Sequence, residues 1–538
     1  NSDNTKAFFT FSKRPFVIAN TRKPILLKKT DHKIKEMLDQ SFSYENFRIL
    51  LDVENRKGRY LEDKVFFESD YFKNSREISD LIILKNKEIR DESYKLKSIH
   101  KIDDRDYTLL DSLKDEKEKL KKDREQALEE ILITIAQKTD VDDYELKIEK
   151  GQVKWGSQLY EIEHNPENYF VTKQLQRNIY KTFKVKQASR KVIIDQLKLL
   201  FDDGFPKIII RTDIEKFYES IPHKELLEKI EENSLLSFPS KNMIRRVLNQ
   251  YWKILIADGI KSITDERVGI PRGIGFSAYL SELYLRGFDN KIKSLSNVTY
   301  YSRYVDDIII IITPKHRNEI KSKLLYESEI KNILFNSTKL NINSSKTQII
   351  DLTKENRERK ISQNYILTYL GYKFKISYSK KTEQQKNGDI REFISKDKLK
   401  VFMSDAKLQR FKDKIDASFA EYNTLVIKYA TEKNATERML LKRIKFLTNN
   451  HQLFRRKSNV FIGIYFSNEF LSEPFLDLIE LDKYLKMKIS ALPVSTSIKL
   501  VDTLNKFSFE NGFIKKSIVR FNTDSFKNGK MLQIWKIL

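Results

Sequence analysis

Cysteine is absent from all 538 residues, which excludes disulfides, thiol nucleophiles and cysteine-held zinc, and fits a reducing compartment. Histidine is scarce. His32, His100, His164, His223, His316 and His451 are scattered without an H-x-x-x-H spacing, which speaks against zinc held by imidazoles. Any metal is therefore left to oxygen ligands. Long apolar runs are missing as well: the longest, Ile308 to Ile312, has the length of a strand, whereas crossing a bilayer takes about 20 residues. Nothing resembling a signal peptide opens the chain. The expectation is a cytoplasmic protein without a membrane partner.

What the chain has in excess is positive charge. Its 101 Lys and Arg against 76 Asp and Glu leave a net charge of +25, an imbalance that points to a polyanionic partner, nucleic acid before a membrane surface. The length suits two or three domains.

Three stretches differ in character. Residues 1–165 are rich in charge and poor in glycine. Asp111 to Glu130 alternates both signs, as a solvated helix does, so this part reads as a mainly helical N-terminal extension. Alternation about Gly151, from Ile148 to Trp155, predicts a hairpin leading into the next region. Over residues 166–400 strands and helices interleave: Lys207 to Asp213 is strand-like, Lys224 to Glu232 helical, and Ile270 to Asp289 a glycine-punctuated loop entering a helix. That order predicts an α+β domain. Asn387-Gly388 marks a further hairpin turn. Residues 401–538 read as mainly helical, with 24 Lys and Arg against 14 Asp and Glu. Their aromatics, among them Phe446, Phe454, Phe461, Tyr465, Phe466 and Phe470, are assigned mostly to core. A minority beside Arg455, Arg456 and Lys457 can stack on bases at a phosphate-binding patch. No repeat is apparent.

Two acidic signals stand out. In Tyr304-Val305-Asp306-Asp307 (YVDD), adjacent acids sit between Tyr300-Tyr301-Ser302-Arg303 and a run of isoleucines, the pattern of a strand-turn-strand. Upstream, an apolar strand beginning at Lys207 ends on Asp213. Buried carboxylates need cations. If that strand pairs with the hairpin, three acids converge within a few ångströms as a site for a hard divalent ion such as Mg²⁺. The bland alternative is a turn that uses Asp-Asp for shape alone.

Taken together these segments resemble reverse transcriptases. Ile208 to Pro222 (IIIRTDIEKFYESIP) resembles motif A, Gly269 to Leu285 motif B, YVDD motif C, Leu340 to Thr347 motif D and Tyr369-Leu370-Gly371-Tyr372 motif E, all in the family's order. The resemblance implies a right-hand polymerase with fingers and palm, with a helical C-terminal domain in place of a standard thumb. It implies two Mg²⁺ ions, with Mn²⁺ as a substitute, held at Asp213, Ile214, Asp306 and Asp307, and Lys346 as a further catalytic group at the phosphates. Tyr218 takes the place of the ring that lies under the sugar of an incoming dNTP and excludes a 2′-hydroxyl; core packing is its plain alternative. Gly273, with Gly269 and Gly275, lets backbone approach the nascent base pair. Tyr180 to Arg190 is similar to the fingers segment that clamps the triphosphate, with Arg190 and Lys184 on phosphate and Lys186 on nucleic acid; template contact is the alternative there.

Departures narrow the family. Arg272 stands in motif B where many members carry Gln, and it is assigned to the nucleotide pocket with an altered mode of template-directed selection. The N-A-x-x-H and V-T-G signatures of retrons are missing, as are the zinc-bound endonuclease of intron maturases and an RNase H acid set. Asp195 to Leu200 and Phe217 to Ile221 read most like bacterial defence-associated enzymes of the abortive-infection and unknown groups. Those imply antiviral DNA synthesis on an RNA, templated by a noncoding RNA or primed by protein, in an oligomer or with a partner defence protein. Three alternatives stand beside this: a catalytically silent polymerase fold that only binds RNA, a retron- or intron-derived enzyme, and an RNase-like effector built on Arg443 and His451.

Overall fold

The computed structural model describes residues 39–57, 60–99, 105–141, 143–154, 156–232, 235–353, 364–384, 390–428, 433–455, 458–494, 496–519 and 530–535. Residues 41–538 form one compact unit.

Helices α1 (Tyr44–Arg56), α2 (Lys73–Ser98) and α3 (Thr108–Thr139) open it. The charge-laced stretch from 111 to 130 lies inside α3, whose apolar stripe of Leu128, Leu132 and Ile135 is buried. Strands β1 (Ile148–Lys154) and β2 (Ser157–Ile162) then pair as an antiparallel hairpin. Lys154 of β1 faces Ser157 of β2, so the chain does not reverse at Gly151. Gly151 lies inside β1 where the register shifts, and a Cβ there would come within 2.9 Å of the Glu161 side chain.

Helices α4 (Pro166–Phe183) and α5 (Arg190–Asp202) lead into β3 (Ile208–Asp213). After α6 (His223–Glu231), α7 (Phe238–Ala257) and α8 (Ser277–Lys293) come β4 (Val298–Tyr304), β5 (Asp307–Ile312), α9 (Lys323–Thr338) and β6 (Gln348–Asp351). Four strands form an antiparallel sheet in the order β4-β5-β3-β6. The unbroken isoleucine runs of β3 and β5 are explained by burial on both sides. Ile208, Ile210, Ile308, Ile310 and Ile312 enter the core shared with α4 and α6 to α9, while Ile209, Ile309 and Ile311 enter a second core with α5. A sheet covered on both faces does not need alternating polarity. Each such isoleucine contributes about 1.5–3 kcal/mol of burial.

The second core continues into β7 (Tyr365–Tyr369), β8 (Tyr372–Ile376) and β11 (Lys400–Met403), a three-stranded sheet in the order β11-β8-β7. Strands β9 (Tyr378–Gln384) and β10 (Ile390–Lys396) make the hairpin expected around Asn387-Gly388; the turn itself lies outside the described residues. Helices α10 (Asp405–Lys428) and α11 (Lys433–Thr448) follow, with α12 (Leu476–Ser490), α13 (Ile498–Asn505) and α14 (Phe509–Ile514) after them. The helical expectation for this part is incomplete, because β12 (Asn450–Arg455), β13 (Ser458–Gly463) and β14 (Ile518–Val519) form a small sheet within it. Phe470 is buried there and Phe461 stacks on Phe466 at 5.1 Å, whereas the Phe454 side chain lies outside the described residues. Among the described residues no helix is long and apolar enough to cross a membrane.

Candidate active site

Pairing of β3 with β5 sets Asp213 directly opposite Asp307. The two-residue reversal Val305-Asp306 between β4 and β5 carries the other acid. Val305 adopts a left-handed conformation, φ 61°, which for a β-branched residue costs on the order of 1–3 kcal/mol. The turn is tied down by backbone: the Ile214 amide donates to the Asp306 carbonyl at 3.2 Å, and the Asn343 amide donates to the Asp213 carbonyl at 2.7 Å. Ile214 is 1 % exposed and bridges to Ile342. From the far side, the Tyr369 hydroxyl donates to the Asp307 carbonyl at 3.0 Å.

The three carboxylates have different surroundings. Asp213 accepts from Lys346 Nζ at 2.8 Å, and that hydrogen bond holds the lysine above its ordinary pKa. Lys346 reaches it from a single helical turn, Ser344–Lys346. Asp307 accepts from the Arg211 guanidinium at 2.8 Å; burial raises its pKa and Arg211 opposes the rise. For Asp306 burial, and next the charge of Asp213, pushes the carboxyl up to about 6. The three acids expected at one site thus differ in what they face. Among the described residues no group of three or more His, Asp or Glu could hold a metal ion. Protein cations neutralise Asp213 and Asp307. The pair that a hard cation would fit is Asp213 with Asp306, two oxygen donors, of which Asp306 is raised by burial and by the charge of Asp213.

Beside the acids, Tyr218 is half-buried on the short helix Phe217–Ser220. A hydrogen bond with Ser281 of α8 lowers its phenol pKa, but burial outweighs this and raises it. The Arg272 guanidinium lies 5.1 Å from the centre of the Tyr218 ring and donates to both carboxylate oxygens of Glu219 at 3.2 Å. Arg272 also accepts, through its carbonyl, from the Tyr160 amide of β2 at 2.7 Å. Gly273 has φ +107°, and a Cβ there would come within 2.6 Å of the Tyr160 carbonyl oxygen. Its glycine is thus required by contact with the β1–β2 hairpin, a nearer reason than the approach of a base pair.

Residues 167–374 match the family model described as reverse transcriptase (RNA-dependent DNA polymerase). This segment is similar to reverse-transcriptase domains. With it the chain has the polymerase fingers–palm fold, mixed in helix and sheet, with helical extensions. No curated protein matches the chain. Among solved structures it matches telomerase from Candida albicans in complex with a fragment of telomeric RNA, at 12 % identity and a TM-score of 0.27, over 69 % of this chain and 59 % of that one. Apo telomerase from Candida tropicalis matches at 14 % identity and a TM-score of 0.28, over 67 % of this chain and 58 % of that one. The chain spans about three fifths of the length of these telomerases.

The other residues anticipated for the reverse-transcriptase site have contacts of their own. Arg190, expected on the triphosphate, is committed to the turn between β7 and β8: its Nε donates to the Leu370 carbonyl at 2.9 Å and its guanidinium lies 5.7 Å from the Tyr372 ring centre. Lys407 shares that ring at 4.6 Å, and burial pushes its amine down to about 7. Lys184 caps α4 in a left-handed conformation, and both it and Lys186 are exposed beside buried Val185. Arg456 and Lys457, with the side chain of Arg455, lie outside the described residues. Arg443 and His451 do not form an effector site: Arg443 is 2 % exposed, ion-paired with Glu421 and bonded to the Met531 carbonyl. His451 is 1 % exposed and stacked on Phe446.

Sequence reasoning missed Arg211, Glu219, Ser281 and Arg303. Arg211 had a usable signal, since it lies two residues before Asp213 and so on the same face of β3. Arg303 had one too, as a charge set among tyrosines immediately before the acid pair's turn.

Proposed function

We propose that the chain is a DNA polymerase of the reverse-transcriptase type, joining dNTPs on an RNA at the Asp213–Asp306 pair. The observation that carries this is the strained β4–β5 turn, which sets a half-buried, charge-repelled carboxylate beside the acid end of β3. Two Mg²⁺ ions bound at that pair would neutralise phosphate charge and activate a primer 3′-hydroxyl. Asp213 and Asp306 supply the oxygens that hold them, and Asp307 keeps its pairing with Arg211. Lys346 exchanges Asp213 for phosphate when the nucleotide arrives. Tyr218, fixed by Ser281 and Arg272, forms the floor under the sugar and selects against a 2′-hydroxyl. Arg272 acts through that ring and Glu219 as much as on the base.

Bacterial antiviral defence is the setting the motif resemblance favours, with an oligomer or partner defence protein, and with a noncoding RNA template or a protein primer. Supporting it are the segments Asp195 to Leu200 and Phe217 to Ile221 that carry the resemblance. One observation favours a second reading, a silent RNA-binding scaffold: two of the three acids already carry protein cations.

Asp306→Ala separates the two. The variant is expected to fold and retain RNA while dNTP incorporation falls by about a thousandfold or more, the several kcal/mol that metal-assisted charge stabilisation is worth. Unchanged incorporation would sink the polymerase reading. RNA retention by a wild-type protein that incorporates nothing would favour the scaffold. Sequencing the nucleic acid that copurifies then distinguishes templated from untemplated products.

A further inference from the structure

We infer that Arg303 is a positioning residue for the acid turn, locking the left-handed Val305 from a buried ion cluster on α8. The inference rests on the polymerase reading and adds to it a residue that touches neither metal nor nucleotide.

Arg303 ends one residue before YVDD, and its side chain is 3 % exposed. Its guanidinium donates through Nε and one terminal nitrogen to both oxygens of Asp289, at 2.9 and 2.8 Å. The two terminal nitrogens donate to the two oxygens of Glu282 at 3.1 and 2.8 Å. One of them also donates to the Val305 carbonyl at 2.8 Å. The Tyr301 hydroxyl completes the cluster by donating to Asp289. One planar group thus joins α8, β4 and the turn.

Stability alone is a poor account of this arrangement. Buried ion clusters are often no better than apolar residues of the same volume, and their best-attested use is to fix a geometry. The geometry fixed here is an unfavourable one, since a valine at φ 61° tends to relax. Relaxation of Val305 would swing the next residue, Asp306, away from Asp213. The same helix holds Tyr218 through Ser281, so α8 sets both the ring and the acid turn from adjacent residues, Ser281 and Glu282. Arginine is required because only its planar fork reaches two carboxylates and a carbonyl together; a lysine keeps the charge and loses the fork.

The test compares Arg303→Lys with the double variant Arg303→Lys/Val305→Gly, in extension of a DNA primer on an RNA template with dNTPs and Mg²⁺. Arg303→Lys should lower kcat at least tenfold with KM for dNTP changed less than threefold. Glycine adopts φ 61° without a Cβ penalty, so adding Val305→Gly should restore kcat at least threefold. Wild-type kcat in Arg303→Lys, or a loss that Val305→Gly does not reverse, overturns the positioning role. Should Arg303→Lys fail to fold, Asp289→Asn keeps the shape and an acceptor oxygen; it should lower kcat about threefold at constant KM, and an unaltered kcat overturns the role equally. A wild-type protein that extends no primer overturns the polymerase reading itself, a failure distinct from an active Arg303→Lys.

Discussion

Two polar clusters, one in the segment that matches reverse transcriptases and one near the C-terminus, have opposite electrostatic character. Around Arg443 and His451 the charges and hydrogen bonds close on themselves: an ion pair to Glu421, a bond to the Met531 carbonyl, and an imidazole flat against Phe446 at 4.4 Å. Around Asp306 burial and the neighbouring Asp213 both work against the charge the residue carries at neutral pH. A cluster that is complete in itself ties helices together. One that would gain from an added cation is poised to take one, and perturbed carboxylates of this kind concentrate at functional sites.

The largest effect that would sharpen this contrast is on stability. Arg443→Ala leaves a partly buried carboxylate without its cation and should cost about 3 kcal/mol in denaturant unfolding, with nucleotide incorporation per folded molecule unchanged; a loss of incorporation at full stability would break the distinction. Next comes selectivity. Tyr218→Ala should raise rNTP use relative to dNTP by about tenfold, measured as a ratio of kcat/KM values, and an unaltered ratio returns Tyr218 to packing. The smallest effect is a pH-dependent one at Asp306. Its folded pKa lies above the ordinary carboxylate value, so the protonated form is the one favoured by folding, and that contribution is present near pH 4 and lost as pH rises through about 6. In metal-free buffer Asp306→Asn should therefore raise Tm at pH 8 by roughly 1–3 °C, a gain that fades by pH 4. An equal gain at both pH values would remove the charge repulsion from the account.

Much of this architecture could be read before any coordinates. The isoleucine runs, the acid that ends β3 and the acid pair after Tyr304 were legible because strand length, period and turn chemistry agreed. The paired strands met as expected, with Asp213 opposite Asp307. What escaped was pairing between side chains distant in sequence. Nothing local says that Arg211 reaches diagonally to Asp307, or that Lys346 settles on Asp213 across more than a hundred residues. Arg190 is a further case: its place in the fingers-like segment says nothing of the contacts that the start of α5 gives it with Leu370 and Tyr372. The sheet of β12 to β14 escaped for another reason. Asn450 to Gly463 sits between helical patterns without clean alternation, and β14 supplies two residues from far along the chain.

The sheet with isoleucine on both faces has one last consequence, for access. A molecule carrying phosphate cannot approach the middle of β3 or β5, since helices and a second sheet seal both sides against water. Polar side chains cluster within two residues of the point where these strands end. A phosphate could therefore meet these strands only end-on, at the rim of the sheet where Asp213 and Asp306 stand.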